Sequence, residues 1–117
     1  MKLNYAIAFV SDMAKSVAFY RDVIGLTVDF ESGEWTQFRT GDATFALHKG
    51  DADEATISNI NKPGLCRPGF SVTDLEAFHQ RLLQASVPCI QEPRNVFGVQ
   101  IAQYADPDGL IISISQQ

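Results

Sequence analysis

The feature that most constrains the fold of this chain is an internal duplication. Residues 10–13 (VSDM) and residues 72–75 (VTDL) are alike and lie about 62 residues apart. Each segment follows a short apolar run and carries a hydroxyl and a carboxylate of the kind that cap a helix. The repeat therefore predicts two similar modules, each of which begins with a strand followed by a helix.

The first module reads as a strand, a helix and three further strands. Residues 5–10 are rich in strand-forming side chains. Gly25 lies just past the end of the predicted helix, where a single residue with a left-handed backbone conformation is expected. The preceding helix is predicted from apolar residues that share one face: Met13, Val17, Tyr20 and Ile24. Three strands are predicted between turn-forming residues, at 26–30, 35–40 and 44–48.

The second module repeats this order after a polar connector. Its helix is predicted from the apolar stripe of Leu75, Phe78, Leu82 and Ala85. Its strands are predicted at residues 69–72, 87–91, 100–104 and 110–115. We predict a single domain with an α+β fold, in which tandem βαβββ modules form a curved mixed sheet around a concave cleft, with the helices outside. Module one spans about residues 1–50, the connector about residues 51–64 and module two about residues 65–117.

Composition and charge restrict the class of partner. The 117 residues are 45% apolar and 20% charged, which is typical of an ordinary soluble protein. The net charge of −5 disfavours nucleic acid and anionic membrane surfaces as partners. Cys66 and Cys89 lack the spacing of a redox or zinc motif, and no signal peptide or spanning segment can be recognised near the first residue. We expect a cytoplasmic protein with reduced cysteines.

Residues 9–26 (FVSDMAKSVAFYRDVIGL) strongly resemble the glyoxalase / bleomycin resistance / extradiol dioxygenase superfamily, the vicinal oxygen chelate fold. Residues 106–109 (DPDG) match the turn before the last strand of that family. The duplicated module order extends the resemblance over essentially the whole chain. The resemblance implies the fold but not the activity, because this scaffold hosts isomerases, transferases, dioxygenases and non-catalytic drug-binding proteins.

Metal-using members of this family take His, Gln or Glu ligands from four inward-facing strand positions. The resemblance places those positions at Tyr5, Ala46, Arg67 and Ser113, with Phe45 or Leu47 replacing Ala46 under a one-residue shift. Divalent metals of this class prefer imidazole, carboxylate or thiolate donors, none of which is present in this set. We therefore expect neither a metal site nor another cofactor.

Several polar and aromatic residues are candidates for contact with a ligand. Arg67 precedes Pro68, which favours an extended backbone, and it is either a clamp for a carboxylate or phosphate or a partner in a salt bridge. Trp35 either forms a stacking wall with Gln37 and Arg39 or lies in the core. The complete set predicted to bind a ligand is Tyr5, Trp35, Gln37, Arg39, His48, Arg67, Tyr104 and Ser113.

Other residues are expected to serve the structure alone. His79 is predicted to be a solvated residue of the second helix. Ile7, Phe9 and Phe38 are predicted to be packing residues. No residue is assigned a catalytic role, because no nucleophile with its base can be assembled from the sequence.

The preferred functional hypothesis is a small-molecule-binding protein that holds a drug or metabolite without a metal. The resemblance to bleomycin resistance proteins implies a homodimer with clefts completed across the subunit interface, and a role in antibiotic resistance. Two alternatives stay open. One is a lyase, isomerase or dioxygenase-type enzyme that is metal-independent or uses displaced ligands, and the other is an interaction module that acts through a sheet edge.

Overall fold

The computed structural model of the protein describes residues 3–50, 63 and 65–117. The chain divides into two compact units, Met1–Thr56 and Ile57–Gln117. Each unit has a four-stranded mixed sheet with helical structure packed against it. The prediction of an α+β fold with two tandem βαβββ modules is confirmed. Apart from Pro63, the predicted connector lies outside the described residues.

The first unit has its own sheet, in the order β1-β4-β3-β2, and only its β1–β4 pair is parallel. The elements follow the predicted order, with small shifts at the ends of the strands. They are β1 (Tyr5–Val10), α1 (Met13–Ala18), a π-helix (Phe19–Ile24), β2 (Thr27–Glu31), β3 (Trp35–Thr40) and β4 (Ala43–Lys49).

Both ends of the helical segment are fixed by local hydrogen bonds. At the start, the Asp12 carboxylate accepts a hydrogen bond from the Lys15 N–H, at 3.0 Å. At the end, Gly25 adopts φ 97°, which favours glycine, and the Leu26 N–H donates to the Tyr20 carbonyl at 2.8 Å. The predicted apolar stripe is buried even though the second half of the segment is a π-helix: Met13, Val17, Tyr20 and Ile24.

Strand alternation gives the first sheet two different faces. The face against α1 is buried and apolar, and it includes Val10, Phe38, Phe45 and Leu47. The side chains between these residues lie on the opposite side of the sheet. We call this second side, which faces away from α1, the open face.

The second unit repeats the topology of the first. Its sheet has the order β5-β8-β7-β6, and only the β5–β8 pair is parallel. Within the described residues, no helix has the length and apolar character needed to cross a bilayer. The elements are β5 (Gly69–Val72), α2 (Leu75–Gln84), β6 (Cys89–Val96), β7 (Val99–Ala105) and β8 (Ile111–Gln116).

The strand β6 is longer than the prediction of residues 87–91. It runs from Cys89 to Val96 and includes Pro93, with register irregularities on both sides of Gln91. Proline has no N–H to donate and is normally confined to edge strands and bulges. Because β6 is an edge strand, it tolerates Pro93 and continues beyond it.

The prediction that His79 is solvated is wrong. His79 lies on the buried side of α2 with Leu75, Phe78 and Leu82. Its Nδ1 atom is 2.8 Å from the hydroxyl oxygen of Tyr104, and the two rings are 5.9 Å apart. The hydrogen bond gives the Tyr104 hydroxyl and the Nδ1 of His79 a partner inside an otherwise apolar layer, which offsets part of the cost of their burial.

Candidate ligand-binding face

The open face of the first sheet brings together the candidate residues of the first module. The register places Phe9 of β1 and Trp35 of β3 beside His48 of β4. One step along the sheet, Ile7 and Gln37 lie on either side of Ala46 in the same way. Side chains that are directly paired share one face of a sheet. Tyr5 and Arg39, which both pair with Thr44, therefore belong to this face as well.

Four rings on the open face form a continuous series. The ring centroids of Tyr5 and Trp35 are 6.3 Å apart, those of Trp35 and His48 are 6.1 Å apart, and both pairs are edge-to-face. His48 then contacts Phe9 at 5.5 Å. These distances lie within the range of favourable ring contacts. We call this series of Tyr5, Trp35, His48 and Phe9 the aromatic row.

The aromatic row depends on a small residue in β4. Ala46 lies on the open face, yet its exposed fraction is 0%. The strands of Tyr5 and Trp35 flank β4 on its two sides, and their rings meet across it. A methyl group leaves the space above β4 in which this contact forms.

A chain of hydrogen bonds holds the polar side chains beside the aromatic row. The indole Nε1 of Trp35 donates to Oε1 of Gln37 at 3.0 Å, and Nε2 of Gln37 donates to Oδ2 of Asp29 at 3.2 Å. Nη2 of Arg39 donates to Oδ1 of Asp29 at 2.9 Å. The hydrogen bonds from Arg39 and Gln37 hold the pKa of the Asp29 carboxyl below its usual range. The network orients the indole and places a carboxylate against the arginine.

Asp29 is a member of this site that the sequence analysis missed. The register of β2 and β3 shifts between Val28 and Phe30, so Asp29 is the unpaired residue of a bulge. Asp29 has the same parity as Thr27, which pairs with Arg39, so alternation also places it on the open face. The bulge leaves both Asp29 and Phe30 beside Gln37. The sequence analysis missed Asp29 because it assigned no face to this strand.

Two residues expected to pack in the core are instead on the open face. Ile7 is partly exposed and Phe9 has 68% of its surface exposed, whereas Phe38 is fully buried against the helical side. Phe30, which the sequence analysis did not single out, pairs with Gln37 and is also exposed. The face therefore presents more apolar surface than the predicted set contains.

The predicted residues of the second module do not all share one face. Ser113 pairs with Gly69 and Gln103 and is half-buried, on the side of its sheet away from α2. Tyr104 has an exposed fraction of 0% and bonds to His79 on the helix side, so we remove it from the ligand-binding set. Arg67 is half-buried and precedes β5, and its role as a clamp stays a prediction.

A comparison with models of protein families shows which family the chain belongs to. The model of the Glyoxalase/Bleomycin resistance protein/Dioxygenase superfamily matches residues 2–114. The chain belongs to this superfamily. An uncharacterized protein of Bacillus subtilis (strain 168), YraH, is 27% identical in an alignment of 126 positions that covers 97% of each chain.

Two solved structures have a similar fold. TnmS3, an antibiotic binding protein from Streptomyces sp. CB03234, is 22% identical, with a TM-score of 0.78 over 99% of this chain and 95% of the other. A lactoylglutathione lyase from Agrobacterium tumefaciens is 21% identical, with a TM-score of 0.77 over 98% of this chain and 92% of the other. At these identities the comparison concerns the fold alone.

The residues that the resemblance assigns to the superfamily's metal positions do not have the donor chemistry that a divalent ion prefers. Tyr5 contributes a ring to the aromatic row, and Ala46 has no donor atom and is covered by neighbouring side chains. Arg67 supplies a cation and Ser113 a weak hydroxyl donor. Among residues 3–50, 63 and 65–117, no three His, Cys, Asp or Glu side chains come together as a set of ligands.

Proposed function

We propose that this protein binds a planar, largely apolar small molecule on the aromatic row, and that it does so without converting the molecule. The observation that carries this proposal is the row itself. Its rings lie in continuous contact, and Tyr5 and Phe9 at its two ends are more than half exposed. Aromatic side chains supply large contact areas with little loss of conformational freedom, which suits them to hold a flat molecule.

The surrounding polar groups favour binding over metal-assisted chemistry. Because the donors at the superfamily's metal positions do not fit a divalent ion, no step that requires a Lewis acid is assigned to this site. Asp29 and Arg39 neutralise each other beside the row, so they do not select strongly for an ionic ligand. The proposal is therefore a protein that sequesters its ligand.

The comparisons support this proposal without deciding it. One relative of the same fold is an antibiotic binding protein, and another is a lactoylglutathione lyase. We favour the first kind of activity and propose a role in resistance to a toxic aromatic compound. We also propose a homodimer in the cytoplasm, as the resemblance and the composition imply.

Trp35 is the sole tryptophan, so its fluorescence reports directly on the proposed site. We expect acridine, a planar probe, to quench this emission saturably. In calorimetry, Trp35→Ala should weaken acridine binding by about 2 kcal/mol, since truncation of a central aromatic contact typically costs this much. The loss corresponds to a change in Kd of roughly thirtyfold.

Phe97→Ala is the matched control for this experiment. It removes a large ring from the hairpin tip of the second unit, where Phe97 is fully exposed, and should leave acridine affinity unchanged. An equal loss in both variants would contradict binding at the aromatic row. Conversion of a bound compound into a product would favour the enzyme hypothesis instead.

A further inference from the structure

The hydrogen bonding of His48 fixes the position of its ring proton. Its Nδ1 atom is 2.7 Å from the backbone carbonyl oxygen of Lys49. A carbonyl oxygen only accepts, so Nδ1 must be the donor and must carry a hydrogen. A neutral imidazole has one ring hydrogen, so in neutral His48 the Nε2 atom carries a lone pair and acts as an acceptor.

This acceptor lies in the middle of the open face. His48 contacts Trp35 on one side and Phe9 on the other, in the same cross-strand register. Since Nδ1 is tied to the backbone, Nε2 is on the part of the ring that extends away from it. In the described part of the chain, no group donates a hydrogen bond to Nε2.

The amide and carboxylate acceptors beside the aromatic row are already engaged. Oε1 of Gln37 accepts from Trp35, and the two carboxylate oxygens of Asp29 accept from Gln37 and Arg39. The hydroxyls of Tyr5, Thr27 and Thr44 are able to donate or accept, so they discriminate weakly between ligand groups. Among these groups, Nε2 of neutral His48 is the one that can only accept a hydrogen bond and is still available to a ligand beside the aromatic row.

We infer that the ligand of the aromatic row is a phenol, or a similar aromatic compound with a neutral ring-attached donor, whose hydrogen is accepted by Nε2 of His48. This inference rests on the proposed function and adds the chemical class of the ligand. The rings of Trp35 and Phe9 hold the aromatic body of the ligand, and His48 selects for the hydroxyl. A ligand without the donor leaves Nε2 desolvated and without a partner, which reduces its affinity.

The test compares naphthol with methylnaphthalene, which carries a methyl group at the same ring position. Calorimetry is performed at about pH 8, where imidazoles are neutral and a phenol with a pKa of about 10 keeps its proton. We expect the wild-type protein to bind naphthol about fivefold more tightly, the factor typical of one net hydrogen bond. His48→Phe keeps a ring in the row and should bind the two compounds equally.

Tyr5→Phe removes the hydroxyl that belongs to the aromatic row but keeps its ring, so the fivefold preference should remain if His48 is the acceptor. Phe97→Ala, outside the row, is the control and should also keep the preference. Equal binding of both compounds by the wild type, or a preference that survives in His48→Phe or disappears in Tyr5→Phe, would overturn the inference and leave the proposed function intact. If neither compound nor acridine binds, the proposed function fails.

A second measurement needs no ligand. The nitrogen chemical shifts of neutral His48 distinguish the two tautomers, and His79 is the only other histidine to assign. We expect a protonated Nδ1 and an unprotonated Nε2. A His48 ring that carries its proton on Nε2 would overturn the inference even if phenols bind.

Discussion

Ala46 lies beneath the contact between Tyr5 and Trp35, where two flanking strands bring their rings together over β4. We predict that Ala46→Leu separates these rings, because the longer side chain needs the space that they occupy. Overfilling a closely packed site typically costs 1–3 kcal/mol, so the free energy of unfolding should fall by about that amount. The near-ultraviolet circular dichroism of Trp35 should weaken, and acridine affinity should decrease.

The first helix provides a control for this substitution. Ala14 is exposed on α1, so Ala14→Leu adds the same atoms without touching the open face. Unfolding in urea and calorimetry should give wild-type values for Ala14→Leu. Unaltered stability, dichroism and binding in Ala46→Leu would show that the ring contact does not depend on the methyl group.

At this scale, alternation along a strand was sufficient to place Trp35, Gln37 and Arg39 together, and the same parity placed His48 with Ala46. Alternation did not show the bulge that leaves Asp29 without a cross-strand partner, although Asp29 keeps the parity of Thr27. Nor does alternation place Tyr104. Both parities of β7 contain apolar and polar residues, so the sequence does not show which set faces α2.

At the scale of elements, the packing of α2 on its sheet includes the buried pair of His79 and Tyr104. Burial raises the pKa of the Tyr104 phenol far above its usual value, with smaller contributions from the nearby Cys89 and Glu76. In the unfolded chain the phenol loses its proton near a pH of about 10. Above that pH the folded protein binds more protons than the unfolded one, so the free energy of unfolding must fall as the pH rises.

We predict that Tyr104→Phe reduces this alkaline loss of stability. At neutral pH the same substitution should cost about 1–3 kcal/mol, because the buried Nδ1 of His79 loses its hydrogen-bonding partner. Urea unfolding at a series of pH values measures both effects. Phe97→Ala, at an exposed position without a titratable group, should leave the slope of stability against pH unchanged. The same slope in Tyr104→Phe as in the wild type would contradict the prediction.

The lengths of elements were less predictable than their order. Capping residues and the glycine at position 25 mark the ends of the helical segments, since each corresponds to a specific backbone hydrogen bond. Pro93, in contrast, did not mark the end of its strand. Proline argues against a central strand, but only the sheet order shows that β6 is an edge strand where proline is tolerated. Strand order depends on contacts between distant residues, which local sequence patterns do not contain.

At the scale of the whole molecule, the duplicated sequence correctly predicted two modules with the same strand order, because an equivalent pattern of strands and helix produces an equivalent sheet. The chemistry of the open face was only partly predictable. Residue types identify which rings and polar groups are available, whereas the tautomer of His48 and the network around Asp29 depend on atomic positions.

The proposed homodimer is tested by sedimentation equilibrium, in which we expect twice the mass of one chain. Phe30 is 54% exposed on the edge strand β2, within the apolar surface of the open face, where a second copy would bury it. Phe30→Glu should weaken association by about 2 kcal/mol or more, because burial of an unpaired carboxylate opposes assembly. Leu83→Glu introduces the same charge at an exposed position of α2 and should not change the mass. Dissociation by Leu83→Glu alone would place the interface elsewhere. A single-chain mass for the wild type at high concentration would rule out the homodimer, and this result would not bear on small-molecule binding.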